Sequence, residues 1–210
     1  MKNIKLGSLF CLLLIVLSGC SAGKTKFEPT KSSILLNKDG SVVSADIEAL
    51  NKDHYIQEEL VTFVESQVDL YNTERTGTNT EAKEDFPIMV EKCAITDQTA
   101  TVRLKYETVE DYLAFNSTMR VVPEALFVGT IAEAKKAGYE FEGSFVKVKD
   151  NSPIDSSEAV KNEKQYVAVV EGILPVQVDG SILYMTDKVT KGEGSLVTGV
   201  DDVVSYIIFK

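Results

Sequence analysis

Thr99-Ala100-Thr101-Val102-Arg103-Leu104-Lys105-Tyr106 is the stretch that decides the fold class. Ala100, Val102, Leu104 and Tyr106 alternate with Thr99, Thr101, Arg103 and Lys105. A period of two fits a strand with one face on a core and the other in water. Upstream, Ile88 to Ile95 forms a second such run, and Thr96-Asp97-Gln98 between them is short enough for a hairpin. The same grammar opens the domain. Ile34-Leu35-Leu36 leads through Asn37-Lys38-Asp39-Gly40 into Ser41 to Ile47, and Asp39-Gly40 offers the positive φ that tight hairpins require.

Working outward, strands are expected at Ser144 to Val148 and Tyr166 to Glu171, with a hairpin of Val176 to Val178 and Ile182 to Met185 across Asp179-Gly180. Val203-Val204-Ser205-Tyr206-Ile207-Ile208-Phe209 is apolar on both faces and predicts an interior strand covered on both sides. Helical spacing appears over Ile56 to Asn72, where Leu60, Phe63, Val64, Val68 and Tyr71 share one face. Glu74 to Asp85 is almost wholly polar and reads as a loop and a contact region. Thr108 is placed to cap a short helix reaching Phe115, and Thr130-Ile131-Ala132-Glu133 is a capping box with Gly138 as the stop. Asp155 to Glu158 opens a fourth, short helix. Hairpins mixed with three or four helices, without strict βα alternation, give an α+β fold: mainly antiparallel sheet in a single domain over residues 34–210.

The chain holds 210 residues, with 22 Lys plus Arg against 32 Asp plus Glu, a formal charge of −10. Its 44% hydrophobic and 26% charged content is that of a globular protein. One His and three Cys are too few for a zinc cluster or a disulfide scaffold. An acidic chain whose only arginines are Arg75, Arg103 and Arg120 lacks the basic face of a nucleic-acid binder.

The N-terminus carries an address. Met1-Lys2-Asn3-Ile4-Lys5 is a short positive segment, and Leu6 to Leu17 is an apolar run of 12 residues, too short for a membrane span. Leu17-Ser18-Gly19-Cys20 follows. This tetrapeptide closely resembles the lipobox of bacterial lipoproteins. The resemblance implies a signal peptide over residues 1–19, cut before Cys20, and a diacylglycerol thioether on the Cys20 thiol. Cleavage removes 19 of the 210 residues and leaves 191; it also removes Lys2 and Lys5, taking the charge from −10 to −12. The expected location is the extracytoplasmic face of the bacterial cell membrane. Residues 20–33, from the lipidated cysteine to Ser33, are polar and breaker-rich and read as a flexible tether, with Lys24, Lys26 and Lys31 set to oppose anionic headgroups. Farther along, Leu126-Phe127-Val128-Gly129-Thr130 through Ala137-Gly138-Tyr139 is similar to segments of small lipoproteins from Gram-positive anaerobes, a resemblance that transfers no function and no site residue.

Motifs of catalysis are sparse. Gly192-Glu193-Gly194-Ser195-Leu196 lacks the final Gly of a nucleophile elbow, and it is no dinucleotide fingerprint. His54 reads as a surface residue and Cys93 as a buried thiol inside a strand. Asp150, Asp155 and Glu158 lack EF-hand spacing, and Glu107, Glu110 and Asp111 fit the positive end of a helix. No catalytic residue, cofactor site or metal site is assigned; Cys20 is the one site residue. The sequence therefore predicts a non-catalytic, membrane-anchored lipoprotein with a binding or envelope-associated role. Its partners would be the membrane and an envelope protein. A small-solute-binding lipoprotein is the alternative, and a hydrolase using scattered carboxylates or His54 comes third.

Overall fold

The structure is a computed structural model that describes residues 25–52, 54–77, 86–117 and 122–210. The residues expected to form a signal peptide, and Cys20, lie outside the described residues. Within them the chain forms a single-domain α+β fold built on two sheets. The first sheet holds β1 (Ser33–Leu36), β2 (Val42–Ala49), β3 (Ile88–Thr96), β4 (Thr99–Tyr106), β9 (Val176–Val178), β11 (Thr190–Lys191) and β12 (Val197–Thr198), in the order β11-β12-β9-β1-β2-β4-β3. The second holds β5 (Leu126–Thr130), β6 (Phe145–Lys147), β7 (Pro153–Ile154), β8 (Tyr166–Glu171), β10 (Ile182–Thr186) and β13 (Val204–Phe209), in the order β5-β8-β13-β10-β6-β7. The helices are α1 (Gln57–Thr76), α2 (Val109–Asn116), α3 (Ile131–Lys136) and α4 (Ser156–Ala159).

The two local hairpins form as the alternation predicts. β1 pairs with β2 across a turn closed by the bond from Gly40 N to Asn37 O, with Gly40 at φ 88°. β3 pairs with β4 across Asp97 and Gln98, both at positive φ (48° and 56°), as a two-residue hairpin turn demands. β13 lies inside its sheet between β8 and β10. Ile207 and Phe209 join the main core with Ile34, Leu36, Leu104, Tyr106 and residues of α1 and α2. Tyr206 and Ile208 face the other way, into a second core with Ile131, Ala134, Phe141, Phe145 and Val160. Burial on both faces is what its continuous apolar run requires.

Three expectations are corrected. Val176–Val178 and Ile182–Met185 do not form a hairpin. β9 pairs in parallel with β1 in the first sheet, while β10 pairs with β13 and β6 in the second, so Asp179-Gly180 carries the chain from one sheet to the other. Gly180 holds φ 156°, and a Cβ there would overlap the Lys210 carbonyl oxygen, so the crossing needs glycine. Second, α1 runs on to Thr76 and ends on Gly77 at φ 67°, so Glu74 to Thr76 is helix; residues 78–85 of the expected loop lie outside the described residues. On that helix Phe63 is 56% exposed, and only Val64, Val68 and Asn72 are buried. Third, part of the stretch read as tether is held against the first sheet, though Lys26, Glu28, Thr30, Lys31 and Ser32 stay exposed. Phe27 is buried with Leu35, Val43 and Ala45 on the outer face of the first sheet, beneath the Arg103 guanidinium. Thr25 Oγ1 donates to Asp179 Oδ1 at 2.7 Å, and Gln177 Nε2 donates to the Lys26 carbonyl at 2.9 Å. Burying one phenyl ring is worth about 2–3 kcal/mol, and with these two hydrogen bonds it ties the strap to the sheet. The short strands β5, β7, β11 and β12 were not foreseen.

The exposure of Phe63 has a geometric cause. α1 packs along β3, the edge of the first sheet, and seals that edge with side chains. Asn72 Nδ2 donates to Ile88 O at 2.9 Å while Asn72 Oδ1 accepts from Ile88 N at 3.0 Å. At the other end Gln57 Oε1 accepts from Ile95 N at 3.0 Å. Residues 57 to 72 of a helix and 88 to 95 of a strand both span about 23 Å, so the two amides meet both ends of the strand. A helix laid on an edge buries a narrow stripe, which leaves Ile56, Phe63 and Leu70 outside.

Replacing Asn72 with Leu should lower unfolding free energy by about 2 kcal/mol, because both main-chain groups of Ile88 lose their partners. Urea denaturation followed by circular dichroism reads this. A change below about 0.5 kcal/mol would mean that the edge finds other partners.

Candidate binding cleft

Four segments that are remote in sequence meet at one end of β13. They are Tyr112 of α2, Val122 to Glu124 ahead of β5, Glu171 to Pro175 between β8 and β9, and the turn Asp201-Asp202 before β13. Together they line a cleft of about 520 Å³. Register brings them together: Glu171 pairs with Val204 across the β8–β13 ladder, Gly172 N donates to Val203 O, and Glu171 N donates to Ala125 O. Pro175 is held by the bond from Ile34 N to its carbonyl. Gly172 (φ 93°) turns the chain out of the second sheet toward the first, and Asp202 (φ 53°) turns it back into β13. Gly199 lies against this turn, where a Cβ would sit 2.5 Å from Ser205 Oγ and 2.8 Å from Gly172 O.

The chemistry of the cleft is two-sided. Tyr112, Val122, Pro123, Ile173, Leu174 and Pro175 give it apolar walls, and Ile173 is 63% exposed. Glu124, Glu171, Asp201 and Asp202 supply four carboxyl groups. Among the described lining residues none is Lys or Arg. Such a surface suits a ligand with an apolar body and a positive group, and the volume lies in the range of small-molecule sites.

A second feature lies behind it, between α1 and α2. Asp111 is 3% exposed. Its Oδ1 accepts from the Tyr71 hydroxyl at 3.0 Å and lies 3.3 Å from the Arg75 guanidinium; its Oδ2 accepts from Thr108 Oγ1 at 2.7 Å. Thr108 Oγ1 in turn accepts from Asp111 N, so the helix cap and the buried carboxylate are one unit. The helix dipole alone accounts for Asp111 in the sequence, and its burial goes beyond that. The spacing of Thr108, Asp111, Tyr112 and Phe115 along one helix face carried the signal. This carboxylate is spent on joining two helices.

The remaining expected residues are dispersed. His54 is exposed and stacked on Tyr55 at 4.9 Å. Cys93 is half-buried, less than expected, because β3 is an edge strand; burial, then the nearby Glu65, pushes its thiol up. Asp150 Oδ1 accepts from Ser152 N and Oγ, Asp155 is the N-cap of α4, and Glu158 pairs with Lys161. Among the described residues no three His, Cys, Asp or Glu side chains gather in a metal-holding group. Glu193 to Ser195 forms a 3-10 turn rather than a strand-to-helix elbow. Among the described residues no helix is long and apolar enough to cross a membrane. No family model matches the chain, and no curated protein or solved structure matches it either.

Burial, and then the Asp111 carboxylate, push the Tyr71 phenol up to about 12. A phenol raised above its unfolded value of about 10 contributes stability that is complete below that pH and lost as pH climbs toward 12. Stability should therefore fall between about pH 10 and pH 12, and Tyr71→Phe should flatten that fall, leaving the contributions of Tyr139 and Tyr206, which burial also raises. Urea midpoints measured across this range test it; an unchanged slope in Tyr71→Phe would contradict the assignment.

Proposed function

We propose that the protein is a lipid-anchored extracytoplasmic lipoprotein whose domain binds a ligand or an envelope partner. Cys20 carries the diacylglycerol, and two acyl chains hold a protein stably where one chain would not. The observation that carries the binding half is the cleft beside β13. It joins apolar walls to four carboxyl groups in a pocket of about 520 Å³. The ligand it fits is an ammonium- or guanidinium-bearing group with an apolar neighbour, either on the surface of an envelope protein or free as a small solute. The free solute is the second reading, favoured by the size of the cleft. Anchoring concentrates the domain against envelope partners, so a modest intrinsic affinity suffices.

Two measurements test the two halves. Intact mass spectrometry of the protein from native membranes should give a species that starts at Cys20 and carries a diacylglyceryl adduct. A species cleaved elsewhere and free of lipid would refute the anchor. For the cleft, titration of the full-length protein with hexylguanidinium should give binding that weakens about tenfold in Glu171→Gln with Asp201→Asn, the loss of about one charge-assisted contact. Binding indifferent to those substitutions and to salt would refute the cleft as the site.

A further inference from the structure

A second cavity lies at the opposite end of β13 and has the opposite polarity. It measures about 320 Å³. Lys191, Ser181 and Ser195 line it over an apolar floor of Val148, Val178 and Val197, and none of its described lining residues is Asp or Glu. Lys191 Nζ donates to the Val148 carbonyl at 2.6 Å, which holds the ammonium at the cavity with two further donors to give. Lys31 reaches the same place: its Nζ would lie 3.9 Å from a Cβ on Gly192. Both lysines are exposed. Acids adjoin the cavity without lining it: Asp179, whose Oδ1 is engaged by Thr25, Glu193 on the next turn, and Asp150 two residues beyond Val148. In a chain of charge −10, a cavity whose own lining carries a lysine and no carboxyl group differs from the acidic cleft.

Its position matters as much as its charge. The strap is pinned here, by Thr25 on Asp179 and by Lys26 on Gln177, and Asp179 adjoins Gly180 at the cavity wall. Residues 21–24 separate Thr25 from Cys20. Five Cα steps span at most about 18 Å, so a lipid on Cys20 would hold this end of the domain at the headgroup layer. The acidic cleft lies at the other end of β13, whose six residues extend about 20 Å.

We propose that this end of the domain docks on the anionic membrane surface, with a lipid phosphate seated between Lys191, Lys31, Ser181 and Ser195. Lysine is a point charge suited to phosphate, and hydroxyls complete the oxygen contacts. The apolar floor favours a phosphate carried by a lipid over free phosphate, since it covers glycerol and acyl carbons as the headgroup enters. A lysine near an anionic bilayer is attracted by the negative surface potential within about a Debye length. The orientation rests on the anchor at Cys20; the headgroup site rests on the cavity and stands without it.

The test is hydrogen-exchange mass spectrometry on the full-length protein from native membranes, reconstituted into vesicles of phosphatidylcholine alone or with one-third phosphatidylglycerol. Amides of residues 179–182 and 191–197 should exchange about fivefold more slowly in the anionic vesicles, and Lys31→Gln with Lys191→Gln should abolish the difference. Lys31→Gln alone, which leaves the Lys191 bond to Val148 intact, should reduce it. Equal exchange in both vesicles overturns the proposal, as does slowing confined to residues 171–175 and 201–202. Inorganic phosphate that reproduces the slowing where anionic vesicles do not also overturns it. If the protein proves unacylated and leaves phosphatidylcholine vesicles, the anchor fails. Co-sedimentation with phosphatidylglycerol vesicles, and its loss in the double variant, then decides the headgroup site by itself.

Discussion

β13 is buried on both faces, and the rest of the domain is arranged around that fact. Ile207 and Phe209 enter the core shared with the first sheet and the two longer helices, while Tyr206 and Ile208 enter the core beneath α3 and α4. β8 repeats the pattern beside it, with Ala168 and Val170 on one side and Val167 and Val169 on the other. Two such strands cannot be sealed by one partner layer. The first sheet covers one face; α3, α4 and the Phe141–Phe145 segment cover the other. Each core lends the shared wall the apolar contact that a strand of this composition would otherwise expose to water.

A shared wall requires the chain to cross between sheets, and the crossings shape the molecule's surface. At Glu171–Pro175 the chain leaves the second sheet for the first, and at Asp179–Gly180 it returns. Backbone at a crossing is withdrawn from one ladder before it joins the next, so the sheet face there is left open. Both cavities are lined by a crossing: the acidic cleft by residues 171–175 and the cavity at Lys191 by Gly180 to Ile182. Their separation by the length of β13 is thus a consequence of where the chain changes sheets.

What the sequence made legible is what local contacts determine. The β1–β2 and β3–β4 hairpins, the Thr108 cap and the Thr130–Glu133 capping box each form between residues a few positions apart, and each was read correctly. The Val176–Met185 stretch looked identical to a hairpin, because Asp179-Gly180 satisfies a turn wherever the flanking strands go. Parallel pairing of Val176 with Ile34, across 142 positions, leaves no trace in local periodicity. The Tyr71–Asp111 bond spans 40 positions and was invisible for the same reason. Phe63 fits the helical stripe by spacing, yet the helix lies on a sheet edge, where the covered stripe is narrower than the apolar one. The cleft is the extreme case, since its four carboxyl groups come from three separate segments and none sits in a motif.

An anchored acidic protein is repelled by an anionic bilayer, with a Debye length near 8 Å setting the range at physiological salt. The repulsion is weakest when its own acids lie farthest from the surface. The strap pins the N-terminal side beside Lys31 and Lys191, and the carboxyl groups of the cleft sit about 20 Å away at the other end of β13. With Cys20 in the membrane, that arrangement would set the carboxyl groups of the cleft about 20 Å farther from the surface than the lysines, more than two Debye lengths. On the proposed anchor, the fold would turn a net negative charge into an oriented one, with the acidic cleft facing away from the membrane.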